Sequence, residues 1–165
     1  MKRFTVHHEL VCSREAMWKA FLATPQIESL HRDLEFPKYE VVELHDTETA
    51  IVRRAFGIPK LNLPAAVSKL LGANFGYTEE GTFNKATEVW TFKMIPSTLP
   101  DKLRHDGTMR LEEMGPAKVR RVVELELDAR IFGIAGLIES AFEKQLREIW
   151  DKSAVATNAY FRALK

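Results

Sequence analysis

Cysteine is nearly missing from this sequence. Cys12 stands alone among 165 residues, so no disulfide framework can form within the chain. An excess of charge is missing too. With 24 Lys and Arg against 23 Asp and Glu the formal net charge is +1, and no long-range field favours nucleic acid or an anionic membrane. No stretch approaches the ~20 apolar residues of a membrane span. The opening run Met1-Lys2-Arg3-Phe4-Thr5-Val6-His7-His8-Glu9 has no apolar segment of the signal-peptide kind. Leu164-Lys165 carries no lipidation motif. The expectation is a cytoplasmic protein with no nucleic-acid partner and no stable membrane insertion. There is also no Gly-rich phosphate loop, nucleophile elbow, internal repeat or linker.

What the chain does have is apolar content and alternation. Hydrophobic residues make up 45% and charged residues 28%. That is enough for a sizeable core under a well-solvated surface in one domain spanning 1–165. Phe4, Val6, His8 and Leu10 share one face of a half-buried strand. Ser13 is a good N-cap, with Glu15 in the first turn of a helix carrying Met17, Trp18, Phe21 and Leu22 up to Thr24-Pro25. A shorter helix follows from about Gln26 to Leu34. Tyr39 to Leu44 and Ala50 to Phe56 form a hairpin. Pro64 and Gly72 bracket a short helix inserted between strands.

Four further strands run over Phe75 to Phe83, Thr87 to Ile95, Leu103 to Glu113 and Val119 to Phe132. In the last, Val123, Leu125, Leu127, Ala129 and Ile131 face one way. Glu124, Glu126, Asp128 and Arg130 face the other, a solvated sheet face rather than an acid/base pair. From about Ile134 to near Leu164 one long helix is expected, roughly 45 Å at the helical rise. Its apolar stripe is Leu137, Ile138, Ala141, Phe142, Leu146, Ile149, Trp150, Tyr160 and Phe161. Short turns between strands imply an antiparallel meander, and only the terminal helix is long enough to cover its buried face. The fold class is α+β, a curved antiparallel sheet of about seven strands wrapped on that helix.

The element order, together with Leu63-Pro64-Ala65, Leu70-Leu71-Gly72, Glu88-Val89-Trp90 and the run from Ala129-Arg130-Ile131-Phe132-Gly133 to Glu139, resembles the START/polyketide-cyclase (SRPBCC) superfamily. It is most similar there to a bacterial START-like family of unassigned function. Where that family often has paired glycines before the helix, this chain has Gly133-Ile134-Ala135-Gly136. The resemblance covers nearly the whole chain. It implies a helix-grip fold with a hydrophobic cavity between sheet and terminal helix. Members of the superfamily bind or transfer lipids, sterols, polyketides or aromatic compounds, and some are cyclases or dehydratases.

In such a fold, core and pocket wall share a face. Phe75, Tyr77, Trp90, Phe92, Met94, His105 and Met109 are therefore the candidate sheet-side ligand contacts, with Phe142, Ile149 and Trp150 facing them from the helix. His8 is either a polar anchor at that wall or, more plainly, a buried histidine satisfied by a neighbour. His105 is a conceivable acid or base. His31 could line an entrance. Arg54 would meet a ligand anion if the Ala50, Val52 and Phe56 face points inward, but parity alone does not choose between that face and the one holding Ile51, Arg53 and Ala55. His7 and His8 point opposite ways and cannot both ligate one ion. No metal, cofactor or catalytic residue is assigned. The expected partner is an apolar small molecule or lipid, with the insert from about Pro59 to Gly72 as a lid hinged at Gly57 and Gly72. The alternatives are a cyclase or dehydratase using His8, His105 or Tyr77, a lipid-transfer module, and a fully packed interaction module.

Overall fold

The computed structural model describes residues 1–165. It runs β1 (Lys2–Leu10), α1 (Arg14–Leu22), α2 (Thr24–Asp33), β2 (Lys38–Asp46), β3 (Ala50–Ile58), α3 (Ala65–Leu71), β4 (Tyr77–Asn84), β5 (Val89–Pro96), β6 (Leu103–Gly115), β7 (Lys118–Ala129) and α4 (Ala135–Ala163). The seven strands form one antiparallel sheet in the order β1-β7-β6-β5-β4-β3-β2. This is the expected helix-grip arrangement. No helix is long and apolar enough to cross a membrane.

Local chemistry accounts for the element boundaries. The Ser13 hydroxyl accepts from the Ala16 amide at 3.1 Å and starts α1. Ala23 is extended, which ends α1, and Pro25 then sits in the first turn of α2. The Asn84 side chain accepts from the amides of Ala86 and Thr87. With Glu88 at φ 54° this makes the β4–β5 turn longer than Asn84-Lys85-Ala86, and Thr87 lies in the turn rather than in β5. β7 also stops earlier than alternation predicts. It ends at Ala129, Phe132 is fully exposed, and Gly133 takes the turn at φ 79°. The buried Glu139 carboxylate accepts from the Ala129 amide at 2.9 Å and ties the end of β7 to the first turns of α4.

The core lies between the inner face of the sheet, α1 and the second half of α4. Phe4, Leu10, Met17, Trp18, Phe83, Trp90, Met109, Val123 and Phe161 are among its buried members. Complete burial of a Leu, Met or Phe contributes about 1.5–3 kcal/mol. A smaller cluster joins Val67 and Leu71 of α3 to Ala129 and Ile138. The inward row of α4 departs from the apolar stripe. Gln145, Ser153 and Thr157 are buried on it, while Leu137 and Tyr160 are exposed. Each long helix face crosses both packed and open regions of the interior, so hydrophobicity alone does not mark the row.

Candidate functional site

A cavity of about 160 Å³ lies between the sheet, α2, the segment around Pro59 and Leu61, and α4. An apolar cavity of roughly this size can stay dry and take up a benzene-sized molecule. Strand alternation builds the wall. Arg53 of β3, Tyr77 and Glu79 of β4, Trp90, Phe92 and Met94 of β5, His105 of β6 and Arg121, Leu127 and Ala129 of β7 all point inward. Ile138, Phe142, Leu146, Ile149, Trp150 and Ser153 face them from α4, and Ile27, Leu30, His31 and Leu34 from α2. Of the 31 lining residues 20 are hydrophobic, so burial rather than charge is the main source of affinity for an occupant.

Phe75, Tyr77, Trp90, Phe92, Met94, His105, Phe142, Ile149 and Trp150 all line this cavity. Met109 does not. It is 0% exposed and pairs with Trp90 and Val123 at the packed end of the sheet, where α1 and α4 fill the space beneath it. Aromatic contacts knit the wall. Phe75 lies 5.8 Å from Phe142, and Phe92 lies 6.0 Å from His105 and 6.4 Å from Trp150 between ring centroids.

Two buried arginines sit in this apolar wall. On β3 the inward arginine is Arg53, at 1% exposure, and Arg54 is exposed. Arg53 Nε donates to Glu79 Oε1 at 3.0 Å and Nη1 donates to the Phe21 carbonyl at 2.7 Å. Its guanidinium lies 4.6 Å from both the Phe21 and Trp90 ring centroids, a desolvated cation–π sandwich. Glu79 also accepts from the Tyr39 hydroxyl at 3.4 Å. The Tyr39 ring stacks on His31 at 3.5 Å, and His31 Nδ1 donates to the Ile27 carbonyl. Burial holds the His31 pKa down at about 4, so its ring is neutral. Burial, with Glu79 nearby, pushes the Tyr77 hydroxyl well above its ordinary value, so it too is neutral.

The second buried arginine is Arg121, also at 1% exposure. Its Nη2 donates to the Trp150 carbonyl at 2.9 Å and to His8 Nδ1 at 3.1 Å. Its guanidinium lies 4.8 Å from the Trp150 ring centroid. His8 Nε2 in turn donates to Asp151 Oδ1 at 2.7 Å. The plainer expectation for His8 therefore describes it. It is satisfied on both nitrogens and does not line the cavity. Burial lowers its pKa despite the Asp151 hydrogen bond.

His105 differs from the other two. Burial lowers its pKa to about 4, and its buried Nε2 has no hydrogen-bond partner. It presents a neutral imidazole to the cavity, able to donate or accept one hydrogen bond depending on tautomer. Nothing within hydrogen-bond reach orients it as a base–orienter pair would require.

Among the lining groups that sequence reasoning did not single out are Arg121, Glu79 and Arg53. Arg121 shares parity with Val123 and Leu125, so extending the clearest pattern in the chain by two residues would have found it. Glu79 shares parity with Tyr77. Arg53 had no such signal, because both faces of β3 carry apolar residues. The lid reading changes as well. Gly57 lies within β3, and a Cβ there would stand 2.7 Å from the Tyr77 ring, so it is a packing glycine and not a hinge. Gly72, at φ 86° with nothing near it, does end α3 in a conformation suited to glycine.

A family model described as "Protein of unknown function (DUF2505)" matches residues 5–161. No curated protein matches the sequence. Among solved structures, the protein TTHA0849 from Thermus thermophilus is 18% identical with a TM-score of 0.71, covering 99% of both chains. The Zhui aromatase/cyclase from Streptomyces sp. R1128 is 10% identical with a TM-score of 0.71, covering 99% of this chain and 97% of that one. A START superfamily protein from Mycobacterium smegmatis is 9% identical with a TM-score of 0.57, covering 99% of both. Identities this low carry the fold alone.

Proposed function

We propose that this chain, which belongs to the family described as protein of unknown function (DUF2505) and has a START-like helix-grip fold, binds and carries a hydrophobic small molecule or lipid between sheet and α4. The observation that carries this reading is the apolar cavity of about 160 Å³, walled by Phe75, Tyr77, Trp90, Phe92, Phe142 and Trp150. A fully packed interaction module has no use for such a space, because voids in a core cost dispersion contacts. Association is driven by burial at roughly 25 cal/mol per Å² before the cost of lost freedom. Native mass spectrometry of the purified protein, set against its denatured mass, tests the reading. A retained apolar adduct supports it. A clean mass together with no uptake of any added lipophile overturns it.

A second reading has one observation in its favour. His105 lines the cavity as a neutral imidazole whose buried Nε2 has no partner, and two similar folds are described as aromatase/cyclases. In a cyclase or dehydratase acting on an aromatic or polyketide-like substrate, that nitrogen would accept the proton. Loss of turnover in His105→Ala, with ligand uptake retained, would favour this reading over simple carriage.

A further inference from the structure

The cavity wall holds two buried arginines, and their electrostatic situations differ. Arg53 is neutralised by Glu79 and held by the Phe21 carbonyl. Arg121 has no carboxylate partner. Its hydrogen bonds go to a carbonyl and to a neutral imidazole, and its buried Nε has no partner at all. The nearest acid along its network is Asp151, which is largely exposed and is reached only through His8.

The other carboxylates on the cavity are already engaged. Glu79 pairs with Arg53. Asp128 pairs with Arg130 at 3.0 Å. Glu139 accepts from the Ala129 amide and lies 3.2 Å from the Met1 amine. A buried cation without a counter-charge is costly. Burial accordingly lowers the Arg121 pKa to about 9, far below that of an ordinary guanidinium.

The surroundings of Arg121 are suited to an anion with an apolar body. Trp150 lies against the guanidinium, Phe92 lies against Trp150, and His105 lies edge-on to Phe92. Arg121 and His105 thus line the cavity at the two ends of one aromatic row, each with a buried nitrogen, Nε and Nε2, that has no hydrogen-bond partner. Resting on the carrier reading, we propose that the occupant of this cavity is a carboxylic acid with an apolar body, its carboxylate paired with Arg121 and its body against Trp150 and Phe92.

A planar carboxylate accepts from a guanidinium in a way that an alcohol or amide of the same shape cannot match. The apolar body can be aliphatic or aromatic, and two matched pairs separate these sources. The probes are octanoate with octanamide, and 4-ethylbenzoate with 4-ethylbenzamide, titrated into the full chain by calorimetry at pH 7.5. The acid of at least one pair is expected to bind about tenfold or more tighter than its amide, and the tighter pair identifies the body. In Arg121→Gln that preference is expected to disappear.

If the amides bind as tightly as the acids, the proposal is overturned and the carrier reading stands. If no member of either pair binds, the proposal is overturned, and the carrier reading is decided by the native mass comparison. Should Arg121→Gln fail to fold, the acid-to-amide ratio in the unaltered protein decides alone.

Discussion

Arg53 Nε and Glu79 Oε1 meet at 3.0 Å inside the cavity wall, at 1% and 6% side-chain exposure. The pair is fully desolvated, so its two charges are interdependent in a way that surface pairs such as Lys60–Glu35 are not. Removing one partner leaves the other buried and uncompensated. Arg53→Met or Glu79→Gln alone is expected to cost about 3–5 kcal/mol, whereas Arg53→Met with Glu79→Met together should recover most of that loss. Urea denaturation of the three variants checks this, and additive losses in the double variant would refute it.

Two neutral histidines make the fold sensitive to acid. His31 and His105 are held at about 4 by burial, against an ordinary value of 6.5. Between those values the unfolded chain binds protons that the folded chain does not. Stability is therefore full above about pH 6.5 and is lost as pH falls towards 4, by up to about 3 kcal/mol for each histidine. His105→Gln should flatten the decline over that window without changing its position. Thermal melts from pH 4 to pH 8 measure both slopes, and an identical slope in the variant would remove His105 as a cause.

The order of elements was legible because alternation and turn residues act locally. Val123 to Ala129 alternate cleanly, Ser13 caps a helix, and α4 has no interior Pro or Gly after Gly136. Trp90, Phe92 and Met94 reach the wall by the same parity. What escaped depended on neighbours distant in sequence. Arg53 turns inward because Gly81, its ladder partner, leaves room beneath the Trp90 ring, and because Glu79 and the Phe21 carbonyl satisfy it. Nothing within β3 encodes that. Met109 left the wall for a similar reason. Its parity was correct, but α1 and α4 fill the space beneath it, and distance along a strand decides between core and cavity.

Gly81 itself makes a testable case. The Trp90 indole lies across its Cα, and a side chain there would collide with the ring atoms Cζ2 and Cη2. Because the Arg53 guanidinium also packs on this ring, the indole cannot move freely. Gly81→Ala is expected to destabilise the protein by about 1–3 kcal/mol and to perturb Trp fluorescence. Trp90→Phe in the same chain should relieve part of the strain. No recovery in the double variant would mean that the cost arises in the backbone.

The segment between Pro59 and Gly72 is anchored differently along its length, and its dynamics should divide accordingly. Val67 and Leu71 are 0% and 3% exposed and pack on Ala129 and Ile138, and the Thr98 hydroxyl donates to the Leu71 carbonyl. α3 is thus a plug at one end of the interior. The stretch before it has one long-range hydrogen bond from its backbone, the Asn62 amide to the buried Gln145 side chain on α4 at 2.9 Å. Gln145→Ala removes that acceptor and leaves the apolar contacts of α3 in place. Hydrogen exchange should accelerate by about tenfold at Asn62 and its neighbours, while the α3 amides keep their protection. Ligand dissociation should quicken in parallel, because Pro59 and Leu61 line the cavity. If α3 loosens together with Asn62, the whole insert moves as one body and the Asn62–Gln145 bond is its latch.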